Sequence, residues 1–226
     1  MVRPRAGQTV VEIGPGLGAL TAPLVEQCGH LYVVEIDRDL IARLRERYTP
    51  AQLTICEGDA LRFAFDSLPG PLNVVGNLPY NISTPLLFHL AGFAGHVAEM
   101  TFMLQKEVVL RMVAETGSAD YGRLSVMLQY RFNMARLFDV PPTAFHPVPK
   151  VMSAIVRMAP RPPAELGARD EALLERVVVA AFAPRDESLR SALRVFMAEG
   201  DFAAFAQLRE VVDDLHLVQH RPGDGA

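Results

Sequence analysis

The sequence predicts an α/β protein: a mostly parallel sheet with helices on both faces, followed by a small helical domain. Three observations carry this. Short β-branched apolar runs alternate with segments whose apolar residues recur at helical spacing. The first run opens directly into a glycine turn ahead of a helix. Two later apolar runs have no helical unit between them, which fits an antiparallel hairpin at the sheet edge.

In order, Met1 to Gln8 is a short polar lead, and Thr9-Val10-Val11-Glu12-Ile13 reads as a buried strand. It runs into Gly14-Pro15-Gly16-Leu17-Gly18-Ala19, after which Leu20, Leu24, Val25 and Cys28 mark a helix. Leu31 to Ile36 is a second strand closed by Asp37, with Leu40, Ile41, Leu44 and Tyr48 on the helix that follows. Leu53 to Cys56 is a third strand ending at Glu57-Gly58-Asp59-Ala60. Leu72 to Val75 is the fourth; it ends at Gly76 and leads through Asn77-Leu78-Pro79-Tyr80 into a helix over Pro85 to Phe93. Met100 to Leu104 is the fifth, followed by a helix from Lys106 to about Glu115. Ser125 to Phe132 and Val151 to Met158 are the expected hairpin strands. Pro160 to Pro163 reads as a linker, so residues 1–159 make the sheet domain and 160–226 the small one. In the latter, Leu173 to Phe182 and Phe202 to Val212 read as amphipathic helices.

Composition narrows the function classes. A chain of 226 residues with 50% apolar content buries a substantial core. It has no long uncharged apolar run and no charged-then-apolar leader, so it is expected to be soluble, cytoplasmic and free of membrane. Cys28 and Cys56 stand apart from each other and from any histidine pair, as reduced core thiols do, and His89, His96, His216 and His220 lack metal-type spacing. No metal is expected. The net charge of −4 argues against indiscriminate nucleic-acid binding. Apart from Lys106 and Lys150 every cation is an arginine, the side chain suited to phosphate forks and base stacking. Lys106, Arg111, Arg123 and Lys150 fall near the fourth-strand stretch and are candidates for RNA phosphate; Arg38, Arg43, Arg45 and Arg47 read as a solvated helix face.

The chemistry-bearing residues fall on successive strand ends. Gly14-x-Gly16-x-x-Ala19 after a strand and before a helix fits a nucleotide-cofactor turn, with Glu12 on the strand that feeds it. Glu35, nineteen residues past Gly16, is placed to accept both hydroxyls of a cofactor ribose, with Ile36 beside it. Asp59, followed by Ala60, is placed to accept from an adenine amine. On the fourth strand end, Asn77, a proline carbonyl and the Tyr80 ring form the kind of site that holds a flipped-out base by its exocyclic amine and its face. A nicotinamide dinucleotide could use the same turn and Glu35, but it gives no role to Asn77-Leu78-Pro79-Tyr80, and no second domain carries a catalytic His or Tyr-Lys pair. S-adenosyl-L-methionine fits better: it has a ribose and an adenine, no phosphate, and an electrophilic methyl.

These residues resemble a family. Val11-Glu12-Ile13-Gly14-Pro15-Gly16, Val34-Glu35-Ile36-Asp37, Gly58-Asp59-Ala60, Gly76-Asn77-Leu78-Pro79-Tyr80-Asn81-Ile82-Ser83-Thr84-Pro85, Gln105-Lys106-Glu107-Val108, Tyr121-Gly122-Arg123-Leu124-Ser125-Val126 and Phe145-x-Pro147-x-Pro149-Lys150-Val151-x-Ser153 closely resemble the KsgA-type rRNA adenine dimethyltransferases. The resemblance runs from about Gly7 to Arg157. It implies a Rossmann-like class I methyltransferase on a seven-stranded, mostly parallel sheet with a small C-terminal helical domain. The implied activity is dimethylation of N6 on two adjacent adenines near the 3′ end of small-subunit rRNA, within the immature small ribosomal subunit, by a monomer contributing to ribosome biogenesis. Carried over residue by residue, Gly14, Glu35, Asp59 and Asn77 match cofactor contacts, with Glu12, Gly16, Ile36 and Ala60 in the same motifs. Asn77, Leu78, Pro79 and Tyr80 match the catalytic motif, and Phe145 is a second ring for the flipped base. The antibiotic-resistance methyltransferases of large-subunit rRNA share the Asn-x-Pro-Tyr core and are the runner-up.

Two departures stand out. The family's N-terminal helix and lid-like segment are expected to be missing, because the chain starts almost at its first strand. In Ala183-Pro184-Arg185-Asp186-Glu187-Ser188-Leu189-Arg190, Asp186 and Glu187 stand where the family has cations. Both point to an alternative class, a ribosome-assembly binding factor with little catalysis. Met152, where an aspartate is usual, has no explanation in the sequence.

Overall fold

The computed structural model describes residues 9–168 and 170–182. Seven strands form one sheet, β1 (Thr9–Ile13), β2 (Leu31–Glu35), β3 (Leu53–Glu57), β4 (Leu72–Asn77), β5 (Val97–Gln105), β6 (Phe132–Val140) and β7 (Ser153–Pro160), in the order β3-β2-β1-β4-β5-β7-β6. The first five are mutually parallel, and β7 runs antiparallel between β5 and β6. The expected mostly parallel sheet with an antiparallel edge is present.

The parallel strands are apolar on both sides because both faces are covered. Consecutive residues Val10 and Val11, Val33 and Val34, and Val74 and Val75 are all buried, which requires cover above and below the pleat. On one face Val10, Val33, Leu53 and Val75 pack with Leu24 and Val25 of α1 (Thr21–Cys28) and Leu44 of α2 (Arg38–Arg47). The start of α2 is set by Asp37, whose carboxylate accepts from Asp39 N–H at 2.8 Å and Leu40 N–H at 3.2 Å. The end of α1 is set by Gly29, which adopts φ 75° and donates its N–H to the Val25 carbonyl. Helix α3 (Ser83–Ala91) buries Leu86, Leu87 and Leu90 completely.

The edge hairpin differs from the expectation in its first strand. Ser125 to Phe132 is not a strand: Arg123–Arg131 forms helix α5, and the strand begins only at Phe132. Ser125, Leu128 and Phe132 are the buried positions, spaced three and four apart, and that period is helical. Helix α4 (Lys106–Met112) also stops earlier than the expected Glu115.

The chain divides into two compact units. One holds the described residues up to Val109 together with Arg131–Pro160; the other joins Leu110–Tyr130 to the described residues from Arg161 onward. This differs from the single cut at 159/160, because 110–130 groups with the second unit. Within that unit Gln129 Nε2 donates to the carbonyls of Met112 (3.0 Å) and Ala114 (2.8 Å). Tyr130 Oη reaches Glu171 at 3.3 Å, and Arg161 donates to the Gln129 carbonyl at 3.3 Å. Helix α6 (Glu171–Ala181), capped by Asp170, buries Leu173, Leu174, Val177 and Val178. The helix expected over Phe202 to Val212 and the altered segment from Ala183 to Arg190 lie outside the described residues.

Candidate active site

In the strand order β3-β2-β1-β4 the carboxyl ends of four parallel strands lie side by side. From β1 the chain winds outward through β2 and β3, then returns to place β4 on the other flank of β1. That reversal opens a crevice at the carboxyl edge, the general ligand position of open α/β sheets. Glu12, Gly14 and Gly16 come from the β1 end, Glu35 and Ile36 from β2, Asp59 and Ala60 from β3, and Asn77 to Tyr80 from β4.

The β1 turn is built for close approach. Gly14 and Gly16 hold φ of 64° and 57°, left-handed backbone that side chains disfavour. A Cβ added at either would meet nothing within 4 Å, so the turn faces open space. Gly14 N–H donates to the Val34 carbonyl at 3.0 Å and ties the turn to β2. Glu35 is only 7% exposed, and its Oε1 accepts from Ile36 N–H (2.8 Å) and Asp37 N–H (2.9 Å). The carboxylate is thereby locked by one oxygen, and the other oxygen is the group suited to a ribose diol. Asp59 is held the same way: its Oδ1 accepts from Leu61 N–H at 2.9 Å. Gly58 N–H donates to the Glu35 carbonyl at 2.8 Å and joins the β2 and β3 ends. Ala60 is buried behind Asp59, whereas Ile36 is 66% exposed beside Glu35. This donor set fits a cofactor with a ribose, an adenine and no phosphate.

Glu12 is buried at the base of the turn and takes a short hydrogen bond, 2.6 Å, from Thr21 Oγ1 at the start of α1. Burial pushes its carboxyl up to about 7; the Thr21 hydrogen bond opposes that rise and the negative Glu35 adds to it. The Thr21 partnership had no signal in the sequence beyond a hydroxyl one turn after the glycines.

On β4, Gly76 pairs with Ile13 of β1, and a Cβ there would meet the Ile13 carbonyl oxygen at 2.8 Å. Only glycine lets the two strand ends come together. Asn77 follows as the exposed last residue of the strand, while Leu78 is buried as an anchor. Leu78 N–H donates to the Met103 carbonyl at 3.2 Å. The Pro79 carbonyl, expected to face a base, accepts from Ile82 N–H at 3.2 Å and so serves the turn. Tyr80 is 37% exposed, and its hydroxyl shares a 3.0 Å hydrogen bond with Ser153 Oγ.

Phe145 lies in the loop between β6 and β7, half-buried. Because β7 is antiparallel to β5, with Ser153 opposite Gln105, that loop leaves the sheet at the same carboxyl edge as Asn77. At its stem Lys106 N–H donates to the Met152 carbonyl at 2.9 Å. Lys106 Nζ pairs with Asp139 at 2.8 Å, and Arg136 joins the same carboxylate at 2.7 Å. The Lys106 and Arg136 hydrogen bonds hold the Asp139 carboxyl below its ordinary value. Sequence reasoning singled out Lys106 but neither of these partners. Arg111 and Arg123, grouped with it as candidates for RNA phosphate, lie not on strand ends but on α4 and α5, and both fall in the second unit, where Arg123 pairs with Glu175 at 3.4 Å.

The histidines are structural where they are described. His89 and His96 each donate from Nε2 to a carbonyl, of Phe63 and Leu68, at 2.8 Å. Both cysteines are free thiols whose partial burial raises them above the usual thiol value. Among the described residues no cluster of three or more His, Cys, Asp or Glu side chains could hold a metal ion, and no helix is long and apolar enough to cross a membrane.

Comparison with known proteins agrees with this geometry. The family described as "Ribosomal RNA adenine dimethylase" matches residues 2–224. Ribosomal RNA small subunit methyltransferase A of Aromatoleum aromaticum is 70% identical over 203 residues, covering 90% of this chain and 77% of the relative. Among solved structures, a dimethyladenosine transferase from Plasmodium falciparum superimposes with a TM-score of 0.71 at 25% identity, over 98% of this chain and 78% of that one. The 23S rRNA methyltransferase ErmE gives 0.68 at 28% identity, over 84% of this chain and 76% of that one.

Proposed function

From the premise that this chain belongs to the ribosomal RNA adenine dimethylase family, we propose that it transfers methyl groups from S-adenosyl-L-methionine to N6 of adenine in small-subunit rRNA. It adds two methyls to each of two adjacent adenines near the 3′ end, acting as a cytoplasmic monomer on the immature small subunit. The observation that supports this best is the Ile13–Gly76 pairing, which sets the exposed Asn77 of β4 directly beside the glycine turn of β1. Donor site and acceptor site are thus adjacent strand ends.

The roles follow from the chemistry of each group. The glycine turn admits the methionine end of the cofactor, Glu35 accepts from the ribose hydroxyls, and Asp59 with Ala60 borders the adenine. When bound, the cofactor supplies an electrophilic methyl on a sulfonium. The N6 lone pair of the target adenine is delocalised into its ring and is a poor nucleophile. The Asn77 side-chain oxygen and the Leu78 carbonyl accept hydrogen bonds from the amine and favour a pyramidal nitrogen with a localised pair. Tyr80, with Phe145 from the β6–β7 loop, stacks on the base, at roughly 1–3 kcal/mol per stack. Proximity supplies much of the remaining barrier reduction. No general base is needed, because a methylated ammonium sheds its proton readily to water.

The test is labelled methyl transfer to unmethylated small subunits, naked small-subunit rRNA and large-subunit rRNA. Label is expected as dimethyladenine on the small subunit. Asn77→Ala is expected to cut turnover by at least about 100-fold, as removal of a charge-stabilising group does, with cofactor binding largely retained because Asn77 is one contact among several. Label on large-subunit rRNA alone would favour the reading that the ErmE likeness suggests. Subunit binding with no methylation would favour an assembly factor.

A further inference from the structure

We propose that Ser153 is a positioning residue for the reaction, fixing the face that the Tyr80 ring presents to the target base. This rests on the reading of Tyr80 as a stacking platform. The backbone around Tyr80 is held at three points: Leu78 N–H bonds to Met103, Ile82 N–H bonds to the Pro79 carbonyl, and Ser83 Oγ donates to the Tyr80 carbonyl at 3.1 Å. The ring itself is 37% exposed at a sheet rim, and an exposed aromatic on a turn is free to change rotamer. What orients it is its tip. Tyr80 Oη meets Ser153 Oγ at 3.0 Å across 73 residues of sequence.

Ser153 is unusually well placed to act as the fixed end. It is 1% exposed, and as the first residue of β7 it is paired with Gln105 on one side and Val140 on the other. A phenol that could bond to water is directed instead into the protein by a short, buried side chain on a strand paired on both sides. The same point anchors the neighbouring loop: the preceding Met152 carbonyl accepts from Lys106 N–H, and that loop carries Phe145. Tyr80 and the stem of the Phe145 loop are therefore anchored at adjacent residues, Ser153 and Met152. A net gain of the size one hydrogen bond gives corresponds to about a 3- to 10-fold preference for the held rotamer.

The experiment compares Ser153→Ala, Tyr80→Phe, their double variant and Tyr80→Ala in the full chain, with methyl transfer to unmethylated small subunits as the assay. Cofactor affinity and Tm are read alongside. Ser153→Ala and Tyr80→Phe are each expected to lower kcat by about 3- to 10-fold. The double variant should be no slower than either single one, because both remove the same bond. Cofactor affinity should not change. Multiplying effects in the double variant would overturn the proposal, since the two groups would then act separately. Loss of activity in Tyr80→Ala with wild-type kcat in Ser153→Ala would overturn it and leave the platform standing. A fully active Tyr80→Ala would remove the platform and the proposal together. Should Ser153→Ala not fold, Tyr80→Phe breaks the bond from the exposed side, and wild-type kcat there would be equally decisive.

Discussion

The proposed cofactor half of the site and the proposed base half are built on contrasting principles. On β1, β2 and β3 the polar groups are already engaged by their own neighbourhood: Glu12 with Thr21, Glu35 with two amides, Asp59 with a third. On β4 and the β6–β7 loop Asn77, Pro79 and Tyr80 are exposed; Leu78 is an apolar anchor, and Tyr80 keeps its ring exposed while its hydroxyl is held by Ser153. The first half is preorganised for a small ligand of fixed shape, which loses little entropy on binding a rigid cradle. In the proposed reaction the second half receives a base that arrives on a large RNA already extruded from its stack, which suits its exposed surfaces. Preorganisation is invested where the ligand is constant.

If that contrast holds, the largest effect outside Asn77 comes from the cradle. Glu35→Ala removes an acceptor for two hydroxyls, and charge-assisted hydrogen bonds contribute about 1.5–3 kcal/mol each. Cofactor affinity, measured by calorimetric titration, is expected to fall by about 100-fold or more. RNA affinity measured without cofactor should stay within about twofold, because nothing on the base half depends on Glu35. A comparable loss in both affinities would break the contrast.

The buried acid beneath the turn gives the next effect, and it appears as a pH dependence. The Glu12 carboxyl is raised from 4.5 to about 7 in the folded chain, chiefly by burial. Between those values the folded state holds a proton that the unfolded state has released. The stabilisation is therefore fully present at low pH and is lost as pH rises towards and through about 7. The displacement bounds the effect at about 3 kcal/mol. Glu12→Gln keeps a carbonyl acceptor for Thr21 and removes the titration. The fall in Tm from pH 5 to pH 8 should be several degrees smaller in the variant than in the parent chain. An identical fall in both would mean that Glu12 does not hold the proton.

The two halves were equally legible in the sequence at their strand ends, and each kept a side-chain partner hidden. The glycines, Glu35 and Asp59 lie within a few residues of their own strand ends, so spacing along the chain was enough to place them there. Asn77 to Tyr80 was equally local. What spacing does not show is which side chains meet: Ser153 on Tyr80 and Asp139 on Lys106 are pairings that only the completed sheet creates, and the nearer Thr21–Glu12 bond forms only once the glycine turn brings α1 back over β1. Helix α5 was misread for a related reason. Val126, Met127, Leu128, Tyr130 and Phe132 look like an apolar run, and the deciding buried position is Ser125, whose hydroxyl donates to the Arg111 carbonyl fourteen residues away. A polar residue that is buried only because of a distant partner breaks the hydrophobic period from which a helix is recognised.

Gly76 is where the halves meet, and it gives the smallest and sharpest test. Its missing side chain lets the last turn of β4 lie against Ile13, the residue that opens the glycine turn. In Gly76→Ala the new methyl would press on a backbone carbonyl, which cannot swing aside as a side-chain tip could. Part of the strain is relieved through the Leu78 methyl, the other near contact at 3.0 Å. Overpacking of this kind costs about 1–3 kcal/mol, and the fixed carbonyl, which makes the tighter contact, argues against the lower end. Because the displaced atoms belong to both strand ends, cofactor affinity and kcat should decline together in Gly76→Ala, each by a few-fold, with the Tm lowered by a few degrees. A variant that lost kcat at full cofactor affinity would show that β4 yields while the β1 turn holds. The preorganised half would then be stiffer than the joint that connects it to the base half, and the contrast would extend from partners to mechanics.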